Sequence, residues 1–401
     1  MSFVSVAYGS IDPDVVQKFF AKHLVSCDYF GYSVSVSGNT AVIGALGDDD
    51  KGSGSGSAFV FVRSGDTWTQ QDKLLPEDGA AGDYFGNSVS VSGDTVVIGA
   101  CGICELYEHN DKSSGFGSVY VFVRSGDVWM QQAKLVPEDG AAGDNFGSSV
   151  SVSGDTAVIG AWADDDQGES SGSAYVFVRS GNIWTQQDKL LPEDGAVGDW
   201  FGGSVSVSGD MAVIGASRDD DQGESSGSAY VFVRSGNIWT QQDRFVPGDG
   251  AAWDKFGGSV SVSGDTAVIG ASGSAYIFVR SGDIWTEQAK LVAAGDNFGN
   301  SVSVSGDTAV IGANYDDDKG SDSGSAYVFA RGGDVWTEQD KLVPEDGAAG
   351  DYFGWSVSVS GDTAVIGAFA DDDKGFYSGS AYVFGTKRVN LAPIFQLLLF
   401  K

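Results

Sequence analysis

Histidine and cysteine are nearly missing from this 401-residue chain, which has 2 His and 3 Cys. Only His23 and His109 carry an imidazole. That excludes multi-histidine zinc centres and any imidazole chemistry repeated along the chain. Three cysteines cannot staple a fold of this length, so disulfides do not hold it together. Basic residues are scarce as well: 23 Lys and Arg against 55 Asp and Glu leave a net charge of −32. A nucleic-acid partner requires a basic face that releases counterions, so none is expected. No apolar run approaches the roughly 18 residues of a spanning helix, and no membrane insertion is expected. Glycine is abundant, with 59 residues, and the composition is 42% hydrophobic, enough to bury a sizeable interior.

The length suggests two or three domains only until the repeat is seen. Phe-Gly recurs at Phe30, Phe85, Phe146, Phe201, Phe256, Phe298 and Phe353. Fourteen residues after each Phe comes Gly-Ala, at Gly44, Gly99, Gly160, Gly215, Gly270, Gly312 and Gly367. Residues 164–188 return unchanged as residues 219–243. The constant offset marks a rigid unit, with length changes confined to the rest. Seven units starting near 28, 83, 144, 199, 254, 296 and 351 make a single domain over 1–401, with degenerate terminal segments at 1–27 and 386–401.

Each unit reads as four short strands and no helix. Phe-Gly-x-Ser-Val-Ser-Val-Ser alternates with period two, placing valines on one face and small serines on the other. A tight Ser-Gly-Asp-Thr turn leads to Ala-Val-Ile-Gly-Ala, which is apolar on both faces and must be covered on both. Gly-Ser-Ala-Tyr-Val-Phe-Val-Arg follows, and a second tight turn leads to the polar Trp-Thr-Gln-Gln-Asp-Lys-Leu, suited to an outermost position. Four antiparallel strands in seven units predict an all-β, seven-bladed β-propeller. The Trp at a fixed place in the fourth strand (Trp68, Trp129, Trp184, Trp239, Trp285 and Trp336) reads as a wedge in the wide outer gap between blades. A closed ring is expected over an open solenoid, because neither end carries a polar capping repeat.

The termini offer one strand too many. Phe19–Asp28 aligns without gaps to Glu287–Asp296, the end of a fourth strand, so the N-terminus is expected to close the ring. The tail from Leu391 to Phe400 competes for the same place, with Leu391 where the Trp would stand.

Seven in-register copies of Phe-Gly followed by Gly-Ala, over residues 28–385, resemble the FG-GAP repeat family known from the heads of integrin α-chains. The resemblance implies a seven-bladed propeller used for adhesion or ligand recognition, located extracellularly or at the cell surface. In integrin-type repeats an Asp-rich loop between the Phe-Gly and Gly-Ala strands holds calcium. Here that connection has shrunk to the Ser-Gly-Asp-Thr turn, which has too few oxygens, so those ligands do not carry over.

The acidic loop instead follows Gly-Ala. It contains Asp48, Asp49 and Asp50; Asp164, Asp165 and Asp166; Asp219, Asp220 and Asp221; Asp316, Asp317 and Asp318; and Asp371, Asp372 and Asp373. Three adjacent carboxylates are hard oxygen donors suited to calcium, which takes six to eight oxygens, though the spacing is not that of an EF-hand. The rival reading is a solvated acidic turn that discourages edge pairing and aggregation. Unit five lacks the triplet. Unit two replaces it with a longer loop from Cys101 to Asp111, whose Cys101, Cys104 and His109 suggest zinc, a local disulfide or no special chemistry. In a meander these loops share a face with the Pro-Glu-Asp-Gly linkers, so one face should be strongly anionic.

That face is the expected binding surface, for a protein or for a polysaccharide bridged by calcium, on a monomeric propeller. The leading function is non-enzymatic recognition or adhesion. The alternatives are a carbohydrate-acting hydrolase or lyase, or a purely structural surface protein. An enzyme would break the repeat with converging one-off polar groups. The one-off residues are few: His109, Arg218, Trp162, Trp253 and Trp355. The first residues lack the charged start and apolar core of a signal peptide, so the sequence by itself reads as cytosolic or incomplete, against the extracellular place that the resemblance implies.

Overall fold

The alternation of valine and serine produces the strands it predicts. The computed structural model describes residues 11–21, 24–102, 117–294 and 296–385. They form seven four-stranded antiparallel sheets, with no helix among the described residues. Blade one comprises Phe30–Ser37, Thr40–Ala45, Ser57–Ser64 and Thr67–Leu74, running from the axis outward. In its inner strand Val34 and Val36 are buried while Ser33, Ser35 and Ser37 are half-buried, and all six residues of its second strand are buried. The outer strand buries only Trp68 and Leu74. One extra residue bulges it at the Val60/Phe61 register shift, a feature repeated in every blade whose outer strand follows its third.

The hydrophobic core lies between blades rather than within them. Val42, Val60 and Leu74 of blade one pack against Phe85, Ile98, Tyr120 and Trp129 of blade two, and seven such interfaces complete the ring. The Phe of each Phe-Gly is fully buried and meets an aromatic ring of its own blade edge-on, as Phe353 meets Tyr382 at 5.3 Å. The glycines of the two dipeptides touch across blades. A Cβ on Gly367 would lie 1.9 Å from the Gly31 carbonyl oxygen, so only hydrogen fits.

The serines do more than allow close approach. Val36 N–H donates to Ser358 Oγ at 3.0 Å, Gly38 N–H donates to Ser360 Oγ at 3.0 Å, and Ser356 Oγ donates to the Gly31 carbonyl at 2.9 Å. The same three bonds recur at the other six interfaces. They satisfy the innermost strands' unpaired backbone groups, which would otherwise be open sheet edges.

The N-terminal strand Asp12–Phe19 pairs with Ser380–Gly385 and supplies the outer strand of blade seven. Its register corrects the sequence alignment. Phe19 lies opposite Ala381 as Leu291 lies opposite Ala275, so Phe19 takes the place of Leu291, not of Glu287. The cause is a length difference. Nine positions separate Phe19 from Asp28, as they separate Leu74 from Asp83, whereas five separate Leu291 from Asp296. The gapless alignment matched a standard linker to the one shortened linker and slipped by four. The competing tail beyond 385 lies outside the described residues, as do His23, Cys104 and His109; Cys101 is buried at the end of its strand.

Candidate functional site: the loop face

The second-to-third-strand loops and the linkers between blades emerge together on one face, and backbone bonds stitch them to each other across blades. Tyr84 N–H donates to the Gly54 carbonyl and Phe85 N–H to that of Ser55. Each Asp triplet folds this loop onto itself. The first carboxylate is buried at Asp48, Asp164, Asp219, Asp316 and Asp371. In four of the five triplets its Oδ1 accepts the amide two residues on, as Asp48 accepts from Asp50 at 3.0 Å. The second carboxylate, of Asp49, Asp165, Asp220, Asp317 or Asp372, accepts the amide five residues on. The third, of Asp50, Asp166, Asp221, Asp318 or Asp373, turns back toward the first.

Between the first and third carboxylates stands a basic side chain from the outer strand. Lys73 Nζ lies 2.6 Å from Asp48 and 2.7 Å from Asp50. Lys189 meets Asp164, Asp166 and the linker residue Asp139 at 3.1, 2.5 and 2.8 Å. Arg244 holds Asp219, Asp221 and Asp194, Lys341 holds Asp316 and Asp318, and Lys18 holds Asp371, Asp373 and Asp346. In blades two and five, Lys134 and Lys290 reach linker carboxylates instead, Asp78 at 2.7 Å and Asp249 at 2.6 Å. All seven cations also sit 4.9–5.4 Å from the centroid of an aromatic ring of the third strand. Burial alone would lower the Lys189 and Lys341 pKa values, but the surrounding carboxylates overcome it and raise both. At Asp316 burial acts upward, but the Lys341 ammonium together with the Ser325 and Tyr327 hydroxyls outweighs it and holds the carboxyl below the usual range. In this arrangement the triplets do not fit a resident calcium ion. The point where their oxygens converge holds a protein cation, and calcium needs six to eight oxygens around it.

The Asp two residues before Phe-Gly has a separate task. Asp28, Asp144, Asp199 and Asp351 are buried, and each accepts the backbone amide three residues earlier, as do Asp83 and Asp254. Burial pushes Asp28, Asp199 and Asp351 up to about 6, against the opposing pull of that bond and with added repulsion from the neighbouring triplets. One such acid in isolation would suit general-acid chemistry. Repetition in six blades assigns it to the turn.

The repeat is broken at the mouth of the axis on this same face, at the residues flanking Phe-Gly and following Gly-Ala. The residue before Phe-Gly is left-handed in every blade, with φ from 50° to 60°. Asparagine tolerates this conformation at Asn145 and Asn297, but Tyr29, Tyr84, Trp200, Lys255 and Tyr352 adopt it at a cost of roughly 1–2 kcal/mol each. Around blades six, seven and one the rings join. Tyr352 stacks on Phe369 at 5.4 Å, Trp355 meets Phe369 at 4.7 Å and Tyr32 at 5.7 Å, and Tyr315 meets Tyr352 at 5.7 Å. Across the ring, Trp162, Trp200 and Arg218 form a smaller group.

Of the one-off residues singled out in the sequence, Arg218, Trp162, Trp253 and Trp355 all belong to this face. The invariant outer-strand cation and the aromatic column before Phe-Gly went unread. Comparing the seven units column by column exposes both, one as constancy and the other as variation.

No curated protein matches the chain in sequence. A chain in the solved "Crystal Structure of Mitotic Checkpoint Complex" superposes with a TM-score of 0.56 at 11% identity, covering 94% of this chain and 96% of that one. At that identity the likeness is one of fold alone. The FG-GAP repeat family model matches residues 14–61, 68–122, 129–177, 184–232, 239–278, 285–329 and 336–384. Every match opens on an outer strand and ends on the third strand of the following blade, so the N-terminal strand opens the first. The chain belongs to the FG-GAP repeat family.

Proposed function

We propose that this propeller is a non-enzymatic recognition and adhesion module at the cell surface, which binds a protein or polysaccharide ligand through its loop face. The reading is carried by where the seven-fold symmetry fails. The tight turns on the opposite face repeat nearly unchanged, whereas the axial mouth of the loop face varies from blade to blade and favours aromatic rings. Strained left-handed backbone holding Tyr and Trp serves side chains that are used. Half-exposed aromatic rings beside polar groups supply contact area at low entropic cost. The carboxylates on this face are engaged by cations or amides in a repeated pattern, which favours binding over acid–base catalysis.

The test is a screen of the whole protein against arrays of glycans and of extracellular proteins, repeated with Trp355→Ala and Tyr352→Asn. Asn stands at the equivalent of Tyr352 in two blades, so the second variant keeps the fold. Binding that is saturable and weakened in both variants is the expected result. Binding that both variants leave unchanged, or turnover of a glycan during the screen, overturns the reading.

A further inference from the structure

We infer that Trp162, Trp200 and Arg218 form a binding site for a carboxylate-bearing sugar ring, of the uronic-acid type. The inference rests on the reading of the loop face as a recognition surface. Trp162 follows Gly-Ala in blade three and Trp200 precedes Phe-Gly in blade four, so the two indoles meet across a blade boundary. Their ring centroids are 4.4 Å apart with the planes inclined at 45°. The central carbon of the Arg218 guanidinium lies over Trp200, 3.2 Å from the ring centroid. Both indoles are half-buried and Arg218 is exposed.

Arg218 differs from the other described arginines in having no ion pair among the described residues. Arg63, Arg124, Arg179, Arg234, Arg244, Arg280 and Arg331 each face an aspartate. The three carboxylates beside Arg218 in sequence are turned elsewhere: Arg244 takes Asp219 and Asp221, and Asp220 accepts the Ser225 amide. Among the described residues, a chain of net charge −32 therefore offers this guanidinium no ion-paired anion. Contact with the Trp200 ring restrains this guanidinium, and its N–H donors suit a carboxylate, the group a planar fork recognises best.

The two indole faces beside it suit the apolar C–H face of a sugar. A densely charged polyanion is disfavoured by the surrounding carboxylates, whereas a saccharide brings one charge per ring. The backbone at Trp200 is left-handed, with φ 59°, where blades three and six place Asn; the indole is held there against its local preference.

The test measures indole fluorescence quenching and calorimetric binding of the whole protein with trigalacturonic acid. Neutral galactotriose and an acidic peptide of equal charge serve as comparison ligands. Two substitutions follow residues the repeat already accepts: Arg218→Ala, after Ala163 and Ala370, and Trp200→Asn, after Asn145 and Asn297. The acidic trisaccharide should bind saturably and the neutral one at least tenfold more weakly. Arg218→Ala should lose about tenfold for the acidic sugar alone, the worth of a charged hydrogen-bonded contact, and Trp200→Asn should lose binding to both. Equal binding of the two sugars, stronger binding of the peptide, no saturable binding, or an unaffected Arg218→Ala overturns the site. If the site fails while the Trp355 and Tyr352 variants still reduce binding in the arrays, loop-face recognition stands without it.

Discussion

Lys18 Nζ lies 2.7 Å from Asp371 Oδ2, joining the start of the described chain to its last blade. The same ammonium reaches Asp346 and Asp373 and sits over the Tyr382 ring, and the Lys18 side chain is 11% exposed. Blades one, three, four and six make the triplet contact within a continuous stretch of chain. The seventh makes it across the junction of the first and last described strands, so closure depends on it more than any other blade does. Lys18→Met strands a largely buried carboxylate and should cost about 3 kcal/mol. Removing residues 1–19 takes away the outer strand and bares the edge at Ser380–Gly385. The expected outcome is a lowered melting temperature for Lys18→Met and concentration-dependent self-association for the truncation, read by light scattering. A truncated chain that melts as the intact one would show that the seam is not closed by this strand.

Gly367 and Gly31 carry a second prediction. The backbone carbonyl that a Gly367 Cβ would strike at 1.9 Å cannot yield without moving a whole blade. Gly367→Ala should therefore destabilise by about 3 kcal/mol or more. Gly248, where an added methyl would meet nothing within 4 Å and φ is not left-handed, is the control. Gly248→Ala should be neutral or stabilising by about half a kcal/mol, through the unfolded state. Denaturant midpoints of the two variants decide it.

Much of this architecture could be read from spacing alone. The fourteen-residue offset from Phe-Gly to Gly-Ala spans two strands and a tight turn, so its constancy encodes the inner half of every blade. The alternation of Val34, Ser35 and Val36 encodes which face is buried. What remained hidden depends on partners distant in sequence. Nothing in Ser358 announces that its hydroxyl accepts the Val36 amide on the next blade. Nor does Asp48 announce that Lys73, 25 positions away, will fill its loop. The frame of the N-terminal strand was lost because the one linker it matched without gaps is the one that departs from the common length.

The outer-strand cations set an expectation for metal. Because Lys189 already occupies the point between Asp164, Asp166 and Asp139, the wild-type protein should melt at the same temperature in millimolar calcium and in chelator. Lys189→Met leaves the buried Asp164 without its counter-charge and should cost about 3 kcal/mol. The vacated oxygens then resemble a cation site, so calcium should restore part of the loss in this variant alone. A calcium-dependent melting temperature in the wild type would mean that the lysine leaves the loop and the triplets take the metal.

Stability should also depend on pH in a direction set by two opposed groups of aspartates. Asp28, Asp199 and Asp351 rise from 3.8 to about 6 on folding, chiefly through burial. Between those values the folded state binds more protons than the unfolded one, so stability falls as pH rises from about 4 to about 6 and is flat beyond. Asp78, Asp139, Asp316 and Asp346 are held below their ordinary value by lysine partners, so their contribution is present above about 4 and lost as pH falls further. The melting temperature should therefore be highest near pH 4–5, lower at pH 7.5, and should drop steeply below pH 3.5. Asp199→Asn keeps an acceptor for the Ala196 amide and removes the charge. It should leave stability unchanged at pH 4 and raise it at pH 7.5, by at most about 3 kcal/mol for a full displacement from 3.8 to about 6. Asp66→Asn, an exposed turn substitution that removes the same charge, separates this effect from the general relief of −32. If both variants raise the melting temperature equally at pH 7.5, burial at Asp199 is not the cause.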